Sequence, residues 1–181
     1  MSTEGQKVRL ATVWLDGCSG CHMSLLDLDE RLVTMAERAD LVFSPLVDAK
    51  EFPDNVDVTL VEGAVSSEED DEKIRLVRRR TKTLVSLGDC AVTGNVPSMR
   101  NPYDVGAVLQ RAYIENARPD SKVPTEVVPR LLARVRPVHE VVKVDVFIPG
   151  CPPSADTIFY ALSELVEGRN PDLTVRTRFG V

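Results

Sequence analysis

Five short apolar runs rich in β-branched residues recur along the chain and constrain its fold more than any other feature. They lie at residues 8–14, 41–44, 56–61, 83–87 and 144–148. Short apolar runs bounded by polar segments are typical of strands that are buried on both faces, as in parallel sheets. The sequence therefore predicts a parallel sheet of five strands.

Helical patterns separate most of these predicted strands. Residues 23–38 carry apolar side chains at spacings of three and four, which predicts one amphipathic helix. Residues 67–80 begin with acids and end with three arginines, as the helix dipole favours, with Ser66 and Glu69 as a predicted capping box. A third helix is predicted over 154–167, after two prolines and before Gly168.

Strands that alternate with helices pair in parallel through right-handed crossovers. The expected fold is an α/β, flavodoxin-like three-layer sandwich. Residues 95–136 contain five prolines and only short helical patterns, so they are interpreted as an excursion between the fourth and fifth strands. With 181 residues, of which 43% are hydrophobic, the chain is expected to form a single domain over residues 1–181.

The composition limits the kinds of partner that the chain is expected to bind and the cell compartment in which it is expected to occur. The net charge of -6 and the lack of a basic stripe interleaved with aromatics argue against nucleic-acid binding. No apolar run approaches the roughly 20 residues that a membrane span needs, and the segment MSTEGQKVRL lacks the apolar core of a secretory signal. A cytoplasmic location without a membrane span is expected.

The chain has four cysteines, and the cytoplasm keeps ordinary thiols reduced, which favours metal binding or redox chemistry over disulfides. Cys18 follows the first predicted strand, Cys21 opens the next helix, and Cys90 and Cys151 follow the fourth and fifth strands. Because parallel strands end at one edge of their sheet, all four thiols are expected to converge there. The pattern favours an iron-sulfur cluster, with a zinc site, a redox dithiol and inert cysteines as alternatives.

The cysteine-bearing segments LDGCSGCH (15–22), GDCAVTGN (88–95) and PGCPP (149–153) resemble the small subunits of nickel-iron hydrogenases. The segment VEGA (61–64) and the closing helix fit as well, and the likeness is greatest to the soluble bidirectional, NAD-reducing type. The chain shows no GxGxxG or GxxxxGK[ST] motif, so NAD and ATP are not expected to bind to it directly.

This resemblance implies one 4Fe-4S cluster on Cys18, Cys21, Cys90 and Cys151, which are then both the metal-binding and the cofactor-binding residues. It further implies an electron-transfer subunit of a cytoplasmic complex. The hydrogenase large subunit would hold the nickel-iron centre, and diaphorase subunits with flavin and iron-sulfur groups would reduce NAD. Gly20 stands where oxygen-tolerant members have an extra cysteine, and the C-terminal cysteines that bind further clusters in larger members are not present.

Other residues near the cysteines are assigned supporting roles, and no catalytic residue is expected on this chain. The family places a glutamate at the position of Glu62 close to the cluster, although a solvated loop carboxylate fits the sequence equally well. His22 is interpreted as contacting a sulfide or the large subunit. Glycines flank the cysteines, where backbone approaches a bulky group, and Trp14 is expected in the core.

Several alternatives remain open at this point. The related quinone-reductase subunit of respiratory complex I has adjacent cysteines where this chain has Gly17 and Cys18. Small subunits of coenzyme F420-reducing or sulfur-reducing hydrogenases are a second alternative, and a zinc-stabilised assembly module is a third. FMN can bind near the strand ends of a flavodoxin-like domain, but no residue signature in this sequence supports it.

Overall fold

The computed structural model describes residues 7–177 and contains seven strands. They are β1 (Val8–Trp14), β2 (Ala39–Phe43), β3 (Val56–Glu62), β4 (Val65–Ser67), β5 (Thr81–Leu87), β6 (Leu131–Arg136) and β7 (Val146–Ile148). Five form a wholly parallel sheet in the order β2-β1-β3-β5-β7. Counting only these five, the order is that of flavodoxin-like folds. The predicted fold class is confirmed.

Seven α-helices connect these strands or follow them. They are α1 (Gly20–Leu26), α2 (Arg31–Ala36), α3 (Glu68–Arg80), α4 (Asp89–Thr93), α5 (Asn95–Ser98), α6 (Val105–Gln110) and α7 (Ala155–Val166). A π-helical turn at Arg111–Glu115 follows α6, and a 3-10 turn at Val138–Glu140 follows β6. None of the helices within residues 7–177 has the length and apolar character that crossing a membrane requires.

Two apolar clusters pack on opposite faces of the sheet and produce the three layers. On one face, Leu25 of α1 and Leu162 of α7 lie over Leu60 and Val85. On the other face, Ile74 and Val77 of α3 lie in a cluster that includes Val61 and Leu84 of the sheet. Burial of these side chains is the main force that holds both helix layers against the sheet.

The single helix predicted over residues 23–38 was wrong, because the chain turns between α1 and α2. Asp29 adopts a left-handed conformation with φ of 50°, which a continuous right-handed helix does not allow. Leu28 lies in this turn and is still buried, being 1% exposed. Two short helices and the turn between them therefore bury most of the apolar residues that the single helix was expected to bury.

The predicted capping box at the start of α3 was wrong by one residue. Ser67 is the N-cap, and its hydroxyl accepts a hydrogen bond from the N–H of Asp70. The carboxylate of Asp70 in turn accepts from the N–H of Ser67 at 3.0 Å. Asp70 is buried and accepts from Ser66 as well, so a shorter acidic side chain replaces the expected glutamate.

The excursion at residues 95–136 contains more structure than the sequence indicated. Its final strand, β6, pairs antiparallel with β4, and Arg100 donates to the carbonyl oxygens of Ser66 and Leu132 beside this small sheet. Neither of these strands was predicted. The prediction of one domain over residues 1–181 stays a prediction, and residues 1–6 and 178–181 lie outside the described part of the chain.

Candidate metal centre

The four cysteines lie beyond the carboxyl ends of three strands of the parallel sheet, as predicted from the topology. Cys18 follows β1, Cys21 lies in α1, Cys90 lies in α4 directly after β5, and Cys151 follows β7. All four are free thiols. The site therefore extends across the edge where flavodoxin-like folds bind their ligands.

Hydrogen bonds beyond the end of β1 tie the Cys18 segment to β3. Leu15 donates to the carbonyl of Glu62 at 2.9 Å, and Asp16 and Ala64 form a reciprocal pair at 3.1 and 2.7 Å. Gly63 makes this approach feasible, because a Cβ there would lie 2.7 Å from the carbonyl carbon of Leu15. Its φ of 92° is also one that other residues rarely adopt.

A second set of hydrogen bonds joins the segments that carry Cys90 and Cys151. Asp89 donates its N–H to the carbonyl of Gly150 at 2.9 Å, and its carboxylate accepts from the N–H of Gly150 at 2.7 Å. Gly88 donates to the carbonyl of Ile148 at 2.8 Å. These bonds continue the β5–β7 pairing past the strands, so Cys90 and Cys151 have a fixed separation.

Helix α1 connects the two halves of the site. The hydroxyl of Ser24 donates to the carbonyl of Pro153 at 2.6 Å, which links the helix of Cys21 to the segment of Cys151. Sequence reasoning missed Ser24 and Asp89, because their partners lie 129 and 61 residues away along the chain. Only the position of Asp89 beside Cys90 could have drawn attention to it.

Glu62 is buried at the end of β3, being 2% exposed, and the interpretation as a solvated loop carboxylate was wrong. Its carboxylate accepts from the N–H groups of Cys21 at 3.3 Å and His22 at 2.9 Å, at the start of α1. A carboxylate at the N-terminus of a helix satisfies free N–H groups and favours the helix dipole. Glu62 therefore positions the helix that carries Cys21.

His22 is also buried, and its ring points into the protein. Both ring nitrogens contact residues of this chain, so the ring does not take the expected role of contacting a sulfide or a partner subunit. Its Nδ1 lies against a Glu62 oxygen, and its Nε2 is 3.0 Å from Oγ1 of Thr12. The Thr12 hydroxyl donates to Ser44 at 2.8 Å, which leaves its oxygen to accept from the Nε2–H group.

Trp14 was wrongly expected in the core. It is 45% exposed at the end of β1, and its indole N–H donates to the carbonyl of Gly17 at 3.2 Å. Trp14 is the last residue of β1, and it follows the four buried positions of that strand.

The thiols influence one another electrostatically. Burial raises the pKa of the Cys21 thiol well above its usual range, and charges on Glu62, Cys90, Cys18 and Cys151 act in the same direction. Burial also raises the pKa of Cys90, with a further contribution from Cys151. Bound iron would supply the positive charge that stabilises thiolates at these positions.

The change Glu62→Gln is expected to shift the potential of a bound cluster upward and to reduce stability by about 1–3 kcal/mol. An amide has one acceptor oxygen where the carboxylate has two, so one N–H of α1 loses its partner. Redox titration and thermal unfolding would measure both effects. Glu72→Gln, an exposed change of the same charge on α3, is the control. An unchanged midpoint potential in Glu62→Gln would contradict the expectation.

Comparison with known proteins agrees with this architecture. Residues 18–165 match the family model described as NADH ubiquinone oxidoreductase, 20 Kd subunit. The chain is 46% identical to the NAD-reducing hydrogenase HoxS subunit delta of Cupriavidus necator, over 92% of this chain and 82% of that protein. It is 39% identical to a subunit of the F420-non-reducing hydrogenase of Methanothermobacter thermautotrophicus, covering 93% of this chain but only 56% of that protein.

Chains of solved hydrogenase structures share this fold. A chain of an NAD+-reducing [NiFe]-hydrogenase crystallised in the H2-reduced state superposes with a TM-score of 0.92 at 40% identity, covering 96% of this chain and 99% of that one. A [NiFeSe]-hydrogenase of Dm. baculatum shares the fold at a TM-score of 0.59 and 20% identity, covering 91% of this chain and 62% of that one. The chain belongs to the NADH ubiquinone oxidoreductase 20 kDa subunit family and, within it, with the small subunits of nickel-iron hydrogenases of the NAD-reducing kind.

Proposed function

We propose that this chain is the electron-transfer subunit of a cytoplasmic NAD-reducing hydrogenase and holds one 4Fe-4S cluster on Cys18, Cys21, Cys90 and Cys151. The observation that carries the proposal is the gathering of four free cysteines from three separate segments of the chain at one edge of the sheet. When bound, such a cluster accepts and passes on one electron at a time.

The residues around the cysteines fit a bulky group. A Cβ at Gly88 would lie 2.2 Å from Sγ of Cys21, and one at Gly20 would lie 3.2 Å from Sγ of Cys18. Glycine at these positions keeps space beside the sulfurs open. Cys18 and Cys151 are exposed while Cys21 is buried, so the group would lie at the protein surface with one side inside the fold.

The arrangement of the potential ligands fits a cluster better than a single zinc ion. Within residues 7–177, no three or more His, Cys, Asp or Glu side chains come close enough to hold a single metal ion. Tetrahedral zinc with Zn–S bonds of about 2.3 Å requires sulfurs about 3.8 Å apart. A 4Fe-4S cluster takes one thiolate at each of its irons, so its ligands stand farther apart.

Exposed apolar side chains beside the cysteine-bearing segments support docking on a hydrogenase large subunit that holds the nickel-iron centre. Trp14, Met23 and Val96 are 45%, 57% and 61% exposed. Apolar groups around a site at the protein surface are typical of protein interfaces. A partner that covers them would also shield the group held by Cys18 and Cys151 from water.

The electron acceptor is proposed to be NAD, reached through flavin and iron-sulfur diaphorase subunits. The support is that the chain covers 82% of the delta subunit of an NAD-reducing hydrogenase. The similar subunit of the F420-non-reducing hydrogenase extends well beyond the shared region, since the chain covers only 56% of it.

The test is to isolate the tagged chain under anaerobic conditions with the proteins that bind it, and then to measure nickel, iron and flavin. The complex is expected to reduce both NAD and an artificial dye with hydrogen. Reduction of the dye without NAD would overturn the acceptor while leaving the hydrogenase assignment intact. A complex without nickel and without either activity would overturn the function itself.

A further inference from the structure

The turn between α4 and α5 directs one side-chain N–H donor at one of the four cysteine sulfurs. The side-chain amide of Asn95 donates from Nδ2 to Sγ of Cys151 at 3.6 Å, a hydrogen-bond distance for sulfur.

The backbone holds Asn95 in place. Gly94 and Asn95 both have positive φ, at 86° and 30°. Asparagine tolerates such conformations better than most side chains. Its carbonyl accepts from the hydroxyl of Ser98 at 2.8 Å, and the N–H of Ser98 donates to Gly94 at 3.1 Å. These bonds fix the backbone from which the side-chain amide of Asn95 extends toward Cys151.

The other half of the site has the opposite electrostatic character. The carboxylate of Glu62 lies at the start of α1 beside Cys21, bonded to the N–H of that residue. A donor thus lies on the Cys151 side of the site, while an acidic group lies on the Cys21 side. N–H groups stabilise negative charge on a thiolate, and a carboxylate disfavours it.

We infer that Asn95 is a positioning residue that would raise the reduction potential of a cluster held by the four cysteines, through its bond to the sulfur of Cys151. This inference rests on the proposed function, in which the cluster takes up one electron from the partner subunit and releases one. No proton or bond transfer is involved. Hydrogen bonds to cluster sulfurs are a general determinant of such potentials.

Two variants with different chemistry test the role of Asn95. Asn95→Asp keeps the size and the tolerance of positive φ but replaces the donor with a carboxylate, so the midpoint potential should fall most. Asn95→Gly keeps the backbone conformation and removes the donor, so the fall should be smaller. Thr93→Asp adds the same charge on an exposed side chain of α4 whose present bond is to Asp89, and should shift the potential least.

The measurement is an EPR-monitored redox titration of the assembled complex, with iron and sulfide counted in each variant. Full clusters with wild-type midpoints in both Asn95 variants would overturn the inference. Loss of the cluster in both, with retention in Thr93→Asp, would overturn it as well, because Asn95 would then serve only to hold Cys151. A wild-type complex without iron and sulfide on this chain would instead refute the proposed function.

Discussion

Cys90→Ser and Cys151→Ser are each expected to lower the iron bound to the chain and to reduce hydrogen-dependent NAD reduction to background. A serine hydroxyl is a harder and less acidic ligand than a thiol, and iron-sulfur clusters are held by soft thiolates. Loss of one of four ligands exposes an iron to solvent and promotes loss of the cluster. Iron and sulfide analysis, together with the NAD assay, would measure the effect.

The fold itself should survive both changes. Cys90 is half-buried and Cys151 is exposed, so neither contributes much to the apolar core. The bonds between Asp89 and Gly150 that hold the two segments involve neither sulfur. Circular dichroism close to wild type would show that loss of activity follows loss of the cluster. Full iron content with full activity in either variant would refute its role as a ligand.

Gly88→Ala is expected to have an effect nearly as large, although it removes no ligand. Gly88 has φ of 82°, where a Cβ costs about 1–2 kcal/mol. The new methyl group would lie 2.2 Å from Sγ of Cys21, which is too close for any stable contact, and 3.4 Å from the carbonyl oxygen of Gly150. Cys21 must then leave its position, and we expect the chain to lose most of its bound iron.

Gly168→Ala is the matched control for this prediction. Gly168 has a similar φ of 75°, but nothing lies within 4 Å of the added Cβ. The backbone strain is therefore shared by the two variants, and the collision with Cys21 is present only in Gly88→Ala. Gly168→Ala should lose about 1 kcal/mol of stability and keep its iron. Equal iron content in both variants would mean that Cys21 is not needed as a ligand.

The main sheet was predictable because each of its strands is an apolar run that ends at polar residues. The parallel order then brings Cys18, Cys90 and Cys151 to one edge without any knowledge of their contacts. The break between α1 and α2 was not predictable from apolar spacing, because the spacing continues through the turn at Asp29. The pairing of β4 with β6 joins segments more than 60 residues apart, and sequence pattern carries no signal for it.

The residues that support the cysteines were harder to find than the cysteines themselves. Glu62 was noticed for its place after a strand, but its burial depends on His22 and Thr12 closing over it. Asn95 occurs within the motif GDCAVTGN, yet its bond to Cys151 spans 56 residues and appears only in the folded chain. Such contacts depend on loop conformation, which apolar periodicity does not describe.

The central claim is that four cysteines of this chain hold one 4Fe-4S cluster, and the most direct measurement is its acid-labile sulfide. Only an iron-sulfur cluster contributes inorganic sulfide, so the complex of this chain with the large subunit alone should contain about four sulfides per chain. An EPR signal should appear on reduction with dithionite, and both should disappear in Cys151→Ser. A preparation that contains zinc and no sulfide, with its activity unchanged in Cys151→Ser, would contradict the account.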